Sequence, residues 1–438
     1  MEAQVVRKIS WRILPLIWIC YVAAFIDRVN VSFAAEAFKT DLGFNADVFG
    51  AGAGIFFIGY FLFEVPSNVI LHKVGARVWI ARIMIVWGLV STSMIFIQGK
   101  GSFYALRFLL GAAEAGYFPG MILYLTYWFP SAYRSRTIGL FMTAPAVAEI
   151  IGGPLSGFLL DHPCFGVKGW QWLFLVEGLP SVVLGLAVLA LLPDGPGRVS
   201  WLTPAEKDWL SARLESERRD VPKLGFFEAL RHPRVLVLCL LCFLLCTGGY
   251  GLGMFLPQVL RGAFPSVSNT QLGFLTAIPS LIAAVVMILW ARHSDRRGER
   301  RWHVAIPAWI AAVGLATSSL GVAPALAVVC MTAGVSGRWA SNPPFWALPT
   351  TFLSGTAAAG GIALINSIGN LGGYAGPRLM GALQVWTGTH AAGLRLMSFA
   401  LLAAGLLALA LRLRPSPQPT PAALPTPARS HPTPIETA

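Results

Sequence analysis

Asp27, Arg28, Arg107, Glu114, Glu149 and Arg338 are ionisable side chains set within or beside long apolar runs. At about 3 kcal/mol each in a bilayer, six uncompensated charges would cost about 18 kcal/mol, more than the whole stability of an ordinary protein. They must therefore pair with one another or face a wet cavity. The planar fork of arginine matches the two oxygens of a carboxylate and a lysine ammonium does not, so Arg107 and Arg28 are candidates to hold an organic anion, with Arg338 a third. Burial raises the proton affinity of a carboxylate and a nearby guanidinium lowers it, so an acid beside these arginines is a candidate proton carrier. Glu114 is the first choice and Asp27 the second. Glu149 is either a third proton site or a partner for Arg338.

The stretch that must position most of this chemistry is Tyr104 to Trp128, YALRFLLGAAEAGYFPGMILYLTYW. A helix rises about 1.5 Å per residue, so Arg107 and Glu114 fall on one face roughly 10 Å apart, and that face cannot look at lipid. The plainer alternative is a structural pair that ties this span to a neighbour. Asp27 and Arg28 would be merely interfacial if the first span ended at Ile26, but the apolar run Val29 to Ala35 argues for continued burial. Tyr250, Trp339, Asn342, Asn366 and Asn370 supply the few polar and aromatic groups that a binding site adds to apolar walls, although Tyr250 and Trp339 suit helix packing equally. Glu64 and Glu177 stand nearer the expected span ends and read as structural.

Apolar segments of about 20 residues recur twelve times, near 11–34, 47–71, 79–98, 103–128, 135–160, 170–192, 235–260, 270–291, 303–322, 324–349, 355–382 and 392–412. Of the 438 residues 55% are hydrophobic and only 12% charged, with a mean hydropathy of +0.65, so this is an integral membrane protein. The net charge of +13 does not argue for nucleic acid. Its basic residues cluster in short loops, which the positive-inside rule explains, with both termini then cytoplasmic. No cleavable signal peptide is expected at the first run. Cys239, Cys242 and Cys246 share a helix face as small packing residues; no disulfide, metal site or cofactor is expected.

The longest polar connection divides the chain, giving a first bundle over 1–195, a connecting loop over 196–231, a second bundle over 232–414 and a disordered tail over 415–438. Within the loop, Thr203-Pro204-Ala205-Glu206 has the pattern of a capping box and predicts an amphipathic strap helix through Trp209, Leu210 and Leu214. The two bundles echo each other. HKVGAR, with Gly75 and Arg77, and SDRRGERR, with Asp295, Arg296 and Gly298, place glycine and basic residues at matching turns, as in transporters built from related halves. His293 and His303 flank the second motif and are expected to be solvated.

Four longer blocks carry a resemblance. CYVAAFIDRVNVSFA, GAGIFFIGYFLFEVPSNVILHKVGARVWIARIMIVWGLVS, RFLLGAAEAGYFPGMILYLTYWFP and PPFWALPTTFLSGTAAAGGIALINSIGNLGGYAGP resemble the anion:cation symporter family of the major facilitator superfamily, most of all its tartrate and 4-hydroxyphenylacetate permeases. The likeness runs from about Arg12 to Arg412. It implies an all-α fold of twelve transmembrane helices in two six-helix bundles, and proton-driven uptake of a small organic anion through a cavity that opens alternately to either side of the inner (plasma) membrane. The family's acidic and basic positions fall on Asp27, Arg28, Arg107 and Glu114, and its eleventh-span asparagine on Asn370. Arg338 and Glu149 are departures from that pattern. A single chain is expected to suffice. The rival readings are an exporter or exchanger of the same fold, a membrane enzyme, for which no nucleophile, base or metal cluster is evident, and a ligand sensor.

Overall fold

Lipid offers the backbone no hydrogen-bond partners, so long apolar segments satisfy their N–H and C=O groups internally as helices. The computed structural model describes residues 2–219, 233–349 and 355–411, and these are helical almost throughout. The first group comprises α1 (Glu2–Val29), α2 (Val31–Leu42), α3 (Ala46–Val74), α4 (Ala76–Thr92), α5 (Lys100–Glu114), α6 (Tyr117–Thr126), α7 (Ser131–Phe141), α8 (Ala144–Asp161) and α9 (Gly169–Leu191). After α10 (Pro204–Arg219) come α11 (Pro233–Ala263), α12 (Asn269–Arg297), α13 (Arg301–Ser318), α14 (Pro324–Ala347), α15 (Gly355–Thr387) and α16 (Ala391–Ala410). Counting α1 with α2, α5 with α6 and α7 with α8 as single crossings gives twelve spans in two six-helix bundles.

Among the described residues nine of these spans are long and apolar enough to cross a membrane by composition alone. The other three are α13, α14 and α15. Arg338, Asn342 and two adjacent prolines lower the apolarity of α14, and glycine with Asn366 and Asn370 lowers that of α15. Helices whose faces meet other helices or a cavity tolerate such residues.

The fourth span differs from the single helix expected. It breaks immediately after Glu114: Ala115 is extended, and Gly116 takes a φ of 84°. A side chain there would be strained and would stand 2.3 Å from the Ser67 hydroxyl, so only glycine fits. The first span is longer than expected because α2 follows α1 almost without a bend, with Asn30 N–H still donating to the Ile26 carbonyl at 2.9 Å. His303 is also not solvated. It is buried, and its ring lies 2.8 Å from the His293 ring on one side and 2.9 Å from Glu299 on the other.

The two bundles meet most extensively along two helix pairs, with α2 also touching α11. α15 runs against α3, where a Cβ on Gly50 would lie 2.3 Å from the Pro377 carbonyl oxygen and one on Gly381 would lie 2.1 Å from that of Ala46. α12 crosses α8 as closely: a Cβ on Gly273 would lie 2.2 Å from the Gly153 carbonyl oxygen. Beyond this crossing the Asp161 carboxylate accepts from the backbone N–H of Asn269 and Thr270 at 3.2 and 2.7 Å and from both side chains, so it caps α12 from the other bundle. Asp47 and Arg378 pair between α3 and α15 at the same end.

The loop motifs fold as turns. Gly75 joins α3 to α4 with a φ of 97°, and the Arg77 N–H donates to Asp194 at 3.4 Å. Gly298 closes α12 in the left-handed region, Asp295 pairs with Arg300 at 2.6 Å, and Arg296 lies exposed in the last helical turn. The capping box forms reciprocally: Thr203 N–H donates to Glu206 at 2.9 Å, and Glu206 N–H donates to the Thr203 hydroxyl at 3.3 Å. Lys8 reaches Glu206 at 2.6 Å, and Glu217 accepts from Ser131, so these contacts tie α10 to the first bundle. The rest of the connection and the tail lie outside the described residues.

Replacing Gly273 by valine should disfavour the closed crossing by about 1–3 kcal/mol. In a Cys164→Ser background, a cysteine at buried Thr276 should then react faster with a membrane-impermeant thiol reagent. The Glu206 carboxyl is held below its ordinary range by Lys8 and the Thr203 N–H. A lowered value contributes above the unfolded pKa and is lost as pH falls through the folded one. The Trp201 fluorescence, set by stacking on Trp128, should therefore change on acid titration, and Glu206→Gln should remove the step.

Candidate functional site

Arg28 is the last-turn residue of α1 and points into the interface between the bundles. Its guanidinium pairs with Glu114 at the end of α5 and lies over the rings of Phe25, Phe56 and Tyr60, 4.9, 5.5 and 5.7 Å from their centroids. Glu114 is 2% exposed and Arg28 9%. Arg107, expected beside Glu114 as an anion ligand, is instead fully enclosed and donates to the Gly52 and Ala53 carbonyls of α3, both at 3.2 Å. Its guanidinium lies 5.0 Å from the centre of the Phe56 ring, which Arg28 also contacts. It does not line the cavity.

Asp27 is buried on the side of α1 away from the cavity. Its carboxylate accepts from Trp87 at 2.8 Å, Ser91 at 2.9 Å and Ser181 at 2.7 Å, so one acid draws α1, α4 and α9 together. Glu177 is similarly engaged, accepting from Ser156 at 2.8 Å. Glu64, expected near a span end, lies well inside α3 and reaches across the bundles: Asn366 and Ser367 of α15 donate to its two oxygens at 2.8 and 2.9 Å.

The second bundle contributes Arg338 from α14. It faces Glu149 of α8 at 3.5 Å and stacks over Tyr250 and Trp339 at 5.1 and 4.7 Å. Glu149 also accepts from Trp339 at 3.0 Å and Ser280 at 3.3 Å, so it binds α8 to both α12 and α14. Between the two arginines lies a cavity of about 140 Å³. Its wall includes Arg28, Arg338, Tyr250, Trp339, Asn342, Asn366 and Asn370, and thus joins the expected polar groups of the second bundle to Arg28 of the first.

Tyr21, Phe57, Tyr60, Cys242 and Cys246 complete much of that wall and were not anticipated from sequence. Aromatic residues recur all along these spans, so no pattern marks out the few that face the cavity. Glu64 did carry a signal, as a single acid inside GYFLFEVPS, but its partners are about 300 residues away along the chain and nothing local identifies them.

A charged cavity at the interface of two six-helix membrane bundles is the arrangement of a transport protein. The chain belongs to the Major Facilitator Superfamily, whose sequence profile it matches over residues 17–377. It is 48% identical to an Agrobacterium vitis protein assigned as a tartrate transporter, over 93% of this chain and 91% of that one. It is 40% identical to a quinolone resistance transporter of Acinetobacter baumannii, over 92% and 93%. Among solved structures, that of a D-xylose–proton symporter covers 93% of this chain and 98% of its own with a TM-score of 0.73; at 15% identity it bears on the fold alone.

Three donors converge on Asp27, and an asparagine can accept with only one side-chain atom. Asp27→Asn should therefore destabilise the first bundle by about 1–3 kcal/mol, seen as a lower unfolding temperature in detergent. Arg28→Gln combined with Glu114→Gln, which removes both charges of the buried pair together, should abolish transport with a smaller effect on that temperature.

Proposed function

We propose that the protein is a proton-coupled symporter that takes up a small organic carboxylate anion, such as tartrate, a sugar acid or an aromatic carboxylate, by alternating access. The observation that carries this reading is the pairing of Arg28, on the cavity wall, with the buried acid Glu114. In the empty carrier Glu114 neutralises Arg28. A proton on Glu114 removes that charge and frees the guanidinium fork for the carboxylate of the substrate. Proton and anion then enter the buried site together as a nearly neutral set, which lowers the cost of carrying them through a low-dielectric interior. Arg107 acts as a positioning residue that fixes α5 against α3, and Asp27 as a structural acid with a reserve role in proton transfer.

The carrier works as a monomer in the inner (plasma) membrane, with both termini and the Gly75–Arg77 and Asp295–Gly298 turns on the cytoplasmic side. Two bundles, 1–195 and 232–414, rock about the cavity, joined in the chain by the 196–231 connection. This sidedness follows the distribution of basic residues.

In proteoliposomes, an inward proton gradient should drive accumulation of a carboxylate substrate. Glu114→Gln should keep substrate exchange while losing gradient-driven accumulation. An unchanged response to the gradient in that variant would remove Glu114 from the mechanism. The relative named for quinolone resistance favours a second reading, an exporter or exchanger of the same fold; in that case the imposed gradient would drive substrate the other way or have no effect.

A further inference from the structure

We propose that the cavity is built for a dianion, whose second carboxylate binds Arg338, and that Glu149 occupies Arg338 as an internal substitute while the carrier is empty. The inference rests on the carboxylate reading above and extends it to the second bundle.

Two guanidinium groups line one cavity, Arg28 from α1 and Arg338 from α14, and among the described residues that line it none is an aspartate or glutamate. Each is held in place by aromatic rings, Arg28 by Phe25, Phe56 and Tyr60, Arg338 by Tyr250 and Trp339. Fixed orientation suits a group that waits for a ligand, because little side-chain freedom is then lost on binding. Each also rests on one glutamate of the first bundle outside the wall, so a ligand carboxylate has a local acid to displace at both arginines.

The two pairs differ in tightness. Arg338 and Glu149 stand 3.5 Å apart, whereas a well-made guanidinium–carboxylate bond is about 2.7–2.9 Å, so the Arg338 fork is incompletely used. Glu149 has other donors, Trp339 and Ser280, that can keep its charge solvated when Arg338 turns to a ligand. The Arg338–Glu149 contact also joins the two bundles, α14 to α8. A dianion that takes both arginines removes the ionic part of this tie and leaves the Trp339 and Ser280 hydrogen bonds, whereas a monoanion held by Arg28 alone leaves all of it standing. Recognition of the second carboxylate thereby weakens the junction between the bundles.

The test is binding to the full chain in detergent, by titration calorimetry, of tartrate, succinate and phthalate, each beside its monoamide, which preserves size and removes one charge. At least one dicarboxylate should bind about tenfold or more tightly than its monoamide, the scale of one charge-assisted contact. Arg338→Gln should bring the two within about twofold while keeping monoamide binding, and Glu149→Gln should tighten the dicarboxylate and leave the monoamide unchanged. Equal binding of each pair by the natural chain, or a preference retained in Arg338→Gln, overturns the inference and leaves the carboxylate reading intact. If Arg338→Gln binds neither form, Glu149→Gln decides: an unchanged dicarboxylate affinity overturns the inference. Binding of none of the six compounds by the natural chain also overturns this inference, and the carboxylate reading then stands or falls on the proteoliposome experiment.

Discussion

The constraint on which this structure depends is that no charge can stand alone in the bilayer interior. Arg28 and Glu114 meet it by pairing, Arg107 by donating to two helix carbonyls, Asp27 by accepting three hydrogen bonds, and Glu149 by contacts to three groups on two helices. Removing one partner of such a set leaves the other buried and uncompensated, a penalty several times larger than the net worth of the contact. Each charge is consequently also a statement about which helices must be adjacent. Asp27 fixes α1, α4 and α9, Arg107 fixes α3 and α5, and Glu64 and Glu149 tie one bundle to the other.

Those cross-bundle ties sit beside crossings where backbones nearly touch. Close approach at Gly50, Gly153, Gly273 and Gly381 leaves no space for side chains and therefore little apolar surface to separate when the bundles part. The polar contacts that flank them, Asp161 on the end of α12 and Glu64 on Asn366 and Ser367, add directionality. The interface is thus held by a few specific bonds across smooth helix faces, which suits a surface that must both seal and slide. In the first bundle, by contrast, Trp87, Trp128, Trp170 and Tyr117 are fully enclosed, and large interlocked side chains favour motion as a unit.

Membrane insertion, the twelve spans, the capping box before α10 and the glycine turns at Gly75 and Gly298 were legible in the sequence, because each depends on residues within one helical turn or one apolar run. So was the list of costly charges. A charge inside an apolar run is anomalous wherever the chain folds, and the residues flagged on that ground all prove to be engaged. The partners were not legible. Arg107 and Glu114 share a helix face, yet Glu114 turns to Arg28 because the chain breaks at Ala115 and Gly116 and frees the end of α5, while Arg107 meets the carbonyls of α3. His303 is similar: its loop composition reads as solvated, but Trp290 and Glu299 enclose it.

The sequence by itself determined that this chain crosses the membrane repeatedly and that a handful of ionisable groups must be sheltered there, since hydropathy and charge act locally and irrespective of topology. Only the tertiary structure decided which of those groups face the cavity. Arg28 and Arg338 do, and Arg107 and Asp27 do not, because exposure to a cavity depends on how helices far apart in the chain are rotated against one another. That rotation is set by packing and hydrogen bonds between spans, which no single span encodes.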